Sequence, residues 1–140
     1  MNQHLESPFK ALRIGLGLAA FLAGLDKFFN ILANWEAYLS PWITNAIPVS
    51  AATFMRVAGV IEMIAGVVVL AGLTRLGGYV IAAWLLAIAA SLVTTGQFFD
   101  VAVRDAIMAI AAFTLARMSE VRVEAPESVA GVVLPQQRPV

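Results

Sequence analysis

The sequence has no cysteine and a single histidine, His4. Disulfide exchange, iron-sulfur ligation and a bis-histidine haem held between helices therefore lack their ligands, and any redox role must use a bound or neighbouring cofactor. Charge is scarce too. Charged residues make up 13% of the chain and hydrophobic ones 61%, whereas a soluble domain carries about a quarter charged residues. The formal net charge is zero, and with no basic stripe or phosphate-cradling loop the sequence offers nucleic acid no electrostatic footing. The composition that remains is that of an integral membrane protein.

Four apolar runs, 11–33, 52–73, 76–95 and 102–118, fall within the roughly 17–25 residues that a spanning helix needs. The sequence thus predicts an all-α fold, a bundle of four transmembrane helices. Residues 1–10 read as a polar lead. The first run reads as an anchor and not as a cleaved signal, because Asp26 and Lys27 fall where a small-residue cleavage site would be wanted. Residues 119–140 are polar with scattered valines and prolines, and are expected to form a flexible or partner-docked tail.

The one long connection, 34–51, contains Trp35, Tyr38 and Trp42 but no lysine or arginine. Its aromatics suit a membrane interface, and its length, unusual between bundled helices, suits a lid or a short surface helix. Lys10, Arg13, Arg75, Arg117 and Arg122 cluster at the opposite ends of the runs. The positive-inside rule then puts both termini of this multi-pass protein in the cytoplasm; in a bacterium the aromatic connection would face the periplasm.

Glu62 is the costliest residue in the chain, a carboxylate near the middle of the second run, where an unpaired charge is expensive. Gly59, Glu62 and Gly66 share one helix face, leaving room for another helix or a ligand. In the first run Ala20, Ala23, Gly24 and Lys27 share a side, and in the fourth Asp105 heads a stripe of Ala109, Ala112 and Ala116 that points it inward. Arg104 is rotated by about 100° from Asp105 at 3.6 residues per turn, toward a different neighbour. Trp84, in the charge-free third run, reads as a lipid or core contact. Lys27, Arg56, Arg104 and Asp105 would lie at similar depth, with Asp26 beside them and Glu62 about two turns below Arg56; three acids against three bases, they are expected to form a salt-bridge network around a small polar pocket. Such pairs can equally serve only packing and register.

Taken together, Arg13 with Gly24 and Lys27, the Gly59-x-x-Glu62-x-x-x-Gly66 helix, Gly72 with Arg75, and the Asp100-x-x-x-Arg104-Asp105 helix resemble the DoxX family of small four-helix membrane proteins over about residues 11–119. The resemblance implies a bundle in the cytoplasmic membrane. Some members of that family are subunits of a thiosulfate:quinone oxidoreductase, others accompany thiol-redox or oxidative-stress systems, and distant ones assist assembly of membrane proteins. The absence of cysteine sets this chain apart from thiol-linked members. The leading expectation is an accessory or quinone-contacting subunit of a membrane redox complex, with no covalent cofactor and no metal, in which Lys27, Arg56 or Arg104 bonds a quinone carbonyl and Glu62 or Asp105 exchanges a proton. Alternatives are a non-enzymatic assembly factor or structural subunit of a larger complex and, third, a small transporter or proton pathway formed by a homo-oligomer.

Overall fold

The computed structural model describes residues 3–130, with side chains placed as far as Val123, and the regular structure among them is all helical. In chain order the elements are α1 (Gln3–Asp26), a 3₁₀ turn (Trp35–Tyr38), α2 (Pro41–Ala46), α3 (Ala51–Leu70), α4 (Thr74–Thr94) and α5 (Phe99–Ala130). α1, α3 and α4 are long and apolar enough to cross a membrane, the build of a membrane protein. α5 is longer still, at 32 residues, but its apolar stretch includes Arg104, Asp105 and Arg117.

Local signals explain where the helices begin and end. Ser50 caps α3, its hydroxyl accepting from the Thr53 amide at 3.2 Å. At the other end Gly72 adopts φ +108°, which lets its own amide and that of Leu73 turn back onto the carbonyls of Val69 and Val68, the hydrogen-bond pattern of a glycine-terminated helix. Arg13 completes this end from α1: Nε and Nη2 donate to the carbonyls of Val69 and Leu70 at 3.2 and 2.6 Å. A guanidinium suits that position, because the last carbonyls of a helix are unpaired and carry its negative dipole end.

The helices associate as two close pairs, α1 with α3 and α4 with α5, and the pairs meet each other more sparsely. Glycine sets the first pair. A Cβ on Gly24 would collide with the Gly59 carbonyl oxygen, and one on Gly66 would lie 2.6 Å from the carbonyl oxygen of Gly17. The two antiparallel backbones therefore touch at two points, Gly24 on Gly59 and Gly17 on Gly66. In the second pair a Cβ on Gly78 would sit 3.0 Å from the Ala112 carbonyl oxygen and 3.0 Å from the Ala116 methyl. Small residues permit such approaches where lipid supplies no hydrophobic drive to bring helices together.

The packed core, Phe9, Leu16, Ala65, Val69, Ile81, Ala82, Ala112 and Leu115, fills the half of the bundle nearest the start of α1. The half beneath the 27–50 connection is packed differently, as described below.

Both ends of the chain depart from the sequence expectation. Residues 3–10 belong to α1 and are no separate polar lead: Phe9 is 2% exposed and forms part of the core. The last helix does not stop at 118, because α5 runs on to Ala130. Glu120, in the stretch expected to be tail, accepts from the Tyr79 hydroxyl at 2.9 Å and pairs with Arg75 and Arg117. Arg122 pairs with Glu6 at 3.4 Å and lies over the Phe9 ring. Glutamate and arginine are good helix formers, and here they have partners on α1 and α4 as well as on α5. The remainder of the expected tail, 131–140, lies outside the described residues, as do Met1 and Asn2.

Candidate functional site

Between the two helix pairs, and beneath the 3₁₀ turn, lies a cavity of about 710 Å³. Most of its wall is apolar, but Lys27, Glu62, Arg104, Asp105, Trp35, Tyr38, Trp84 and Ser91 all contribute to its lining. Its floor is the edge of the packed core, with Leu16, Ala65 and Ile81 common to both.

The geometry around Glu62 is closed. Lys27 Nζ donates to Oε2 at 2.6 Å, with both side chains buried. Trp84 Nε1 donates to Oε1 at 2.8 Å. The ammonium of Lys27 also lies 3.8 Å from the centroid of the Trp35 ring, within the range of a cation–π contact. The glycine contact of α1 and α3 positions this pair. Gly24 and Gly59 touch, and because the helices are antiparallel Lys27 and Glu62 flank that contact from opposite sides, the Lys27 Cβ beside Gly59 and the Glu62 Cβ beside Gly24, so the long lysine stem reaches along the seam to the carboxylate.

The second charged pair is built from sequence neighbours. Arg104 curls back so that Nε and Nη2 both donate to Asp105 Oδ1 at 3.2 Å. Asp105 is 5% exposed, whereas the Arg104 side chain is largely exposed. The expectation that Arg104 turns to a different neighbour is thus corrected, because a long flexible stem can reach back over the intervening 100°.

No family model matches the chain, and no curated protein or solved structure does.

Of the six charged residues expected to form one network, four line this cavity, as two pairs: Lys27 with Glu62 and Arg104 with Asp105. Asp26 does other work. It is buried, and its carboxylate accepts from the amides of Ile31 and Leu32 and from Trp35 Nε1. It therefore folds the chain back over the end of α1 and sets the Trp35 ring beneath Lys27. Arg56 stands apart, exposed on α3 with no ion pair or hydrogen bond among the described residues. It lies about 120° around the helix from Glu62 at 100° per residue, outside the cavity wall.

The interfacial aromatics divide in the same way. Trp35 and Tyr38 line the cavity. Tyr38 packs edge-on against Phe98, centroids 4.8 Å apart, with Phe98 in the left-handed region at φ +59°. Trp42 is 57% exposed and donates to the Thr94 hydroxyl, where Ser40 also bonds. Trp84 is the residue that sequence reasoning missed. Its signal was the indole N–H itself, which requires an acceptor when buried; in the charge-free third run the nearest acceptor had to come from another helix. Among the described residues no group of histidines, cysteines and carboxylates could hold a metal ion.

Proposed function

We propose that this chain is a ligand-binding subunit of the bacterial cytoplasmic membrane, with four spans and both termini cytoplasmic, whose cavity takes a quinone-type amphipath. In line with its resemblance to the DoxX family, it serves as the quinone-contacting or accessory subunit of a membrane redox complex. The observation that carries the proposal is the cavity: about 710 Å³, within the range of small-molecule sites, apolar over most of its wall and furnished with a few convergent polar groups. A ring with polar substituents would sit among Lys27, Asp105 and Trp84, and an isoprenoid chain would run along the apolar wall. The residues present fit such a guest. In this reading the chain binds and orients the ring, and a partner subunit supplies the redox cofactor.

Thermal unfolding of the detergent-purified protein tests this. A short-chain benzoquinone or its hydroquinone is expected to raise the midpoint in a concentration-dependent way. No shift with either form removes the proposal.

A second reading, a non-enzymatic assembly or structural subunit, draws on a different feature. α5 continues beyond its apolar stretch, with Val121 and Val123 exposed, and could dock a partner there. Co-purification of a defined partner that is lost when residues 121–140 are deleted would favour it.

A further inference from the structure

The hydrogen bonds inside the cavity distinguish its two carboxylates. Glu62 has both oxygens engaged, Oε2 by Lys27 and Oε1 by Trp84. Asp105 does not. Both of its hydrogen bonds enter Oδ1, from the one guanidinium of Arg104, and Oδ2 has no hydrogen-bond partner among the described residues. Yet Asp105 is 5% exposed and lines the cavity. No fully enclosed side-chain oxygen or nitrogen among the described residues lacks a partner, so Oδ2 keeps an opening, and the space that Asp105 lines is the cavity.

We infer that Asp105 is the head-group contact of the cavity's ligand, its Oδ2 accepting a hydrogen bond from a ligand hydroxyl, so that the site takes the hydroquinone form of a quinone-type amphipath in preference to the quinone. This rests on the function proposed above and narrows it. A carboxylate accepts and does not donate. Paired with Arg104, Asp105 therefore meets a hydroquinone O–H as a charge-assisted bond and meets a quinone carbonyl as acceptor against acceptor. The other open polar groups do not discriminate: the hydroxyls of Tyr38 and Ser91 can donate or accept, and the remaining N–H groups of Lys27 and Arg104 can donate to a quinone carbonyl or to a hydroquinone oxygen alike. Glu62 already has both oxygens engaged, by Lys27 and by Trp84. It is a positioning residue that holds the ammonium and the indole in place, and the ligand contact falls to Asp105. The selectivity thus comes from α5, while the α1–α3 seam supplies a fixed wall.

The test is calorimetric titration of the full chain in lipid nanodiscs with a benzoquinone carrying one isoprenoid unit, once oxidised and once as hydroquinone kept reduced with dithionite, against empty nanodiscs. The chain has no cysteine, so the reductant leaves no disulfide to consider. The unmodified protein is expected to bind the hydroquinone at least about tenfold more tightly than the quinone, the size of one charge-assisted hydrogen bond. Asp105→Asn is expected to lose about tenfold or more in hydroquinone affinity and to leave quinone affinity within about twofold. Equal affinities for the two forms in the unmodified protein overturn the inference while leaving the quinone-binding proposal standing, and that comparison requires no variant to fold. An equal loss for both forms in Asp105→Asn overturns it as well. Binding of neither form overturns the proposed function beneath it.

Discussion

Lys27 Nζ lies 2.6 Å from Glu62 Oε2, and each residue stands three places beyond the glycine, Gly24 or Gly59, at which α1 and α3 touch backbone to backbone. The close approach and the ion pair are one arrangement. Without the glycines the helices would separate, and a lysine and a glutamate set for van der Waals contact between backbones would no longer meet directly.

Gly24→Ala and Gly59→Ala should each destabilise the protein by about 1–3 kcal/mol, the usual consequence of overpacking a fixed contact, because the added methyl meets backbone atoms that cannot move aside. Gly15→Ala is the control. A Cβ there has nothing within 4 Å, and in a helix alanine is favoured over glycine by about 1 kcal/mol, so that variant should be unchanged or slightly more stable. Thermal unfolding in one detergent ranks the three.

Removing one partner of a buried ion pair leaves the other charge unmatched at a cost of about 3–5 kcal/mol. Lys27→Met and Glu62→Gln are each expected to lose stability on that scale, and the double variant to recover part of the loss. A double-mutant cycle measures the coupling. Additive losses would contradict a direct interaction.

Trp84→Phe keeps the ring but removes the N–H that satisfies Glu62 Oε1. Its expected loss is about 1–3 kcal/mol, that of a buried acceptor left unpaired. Trp42→Phe serves as comparison, since Trp42 is exposed, and should stay within about 0.5 kcal/mol of the unmodified protein.

Arg13→Gln should lower stability by about 1 kcal/mol through loss of charge-assisted bonds to the end of α3. The affected region is local. Hydrogen exchange is expected to accelerate in the last turn of α3, around Val69 and Leu70, and to remain unchanged at its first turn.

The parts of this structure that were legible in the sequence are those fixed by energy per residue. A carboxylate within an apolar run must be neutralised, so Glu62 and Lys27 declared themselves. Small residues at helical spacing declared the faces of α1, α3 and α5, and Asp105, Ala109, Ala112 and Ala116 are all buried. The parts that were not legible depend on rotation and reach. Arg56 has the charge expected of a member of the network but the wrong azimuth. Asp26 is adjacent to Lys27 in sequence and still turns to the connection, because the amides of Ile31 and Leu32 come within its reach only once the chain folds back. Trp84 carries no charge to mark it, and its acceptor lies 22 residues away on another helix. The continuation of α5 past Met118 was concealed by polar composition, since hydropathy finds the membrane boundary and not the end of a helix.

The central claim, that the cavity between the helix pairs holds a quinone-type amphipath, is tested most directly by native mass spectrometry of the protein released from membranes of its expression host. The account predicts one adduct of isoprenoid-quinone mass per chain, which persists at collision energies that strip phospholipid. A chain that emerges bare, or that carries only phospholipid, would contradict it.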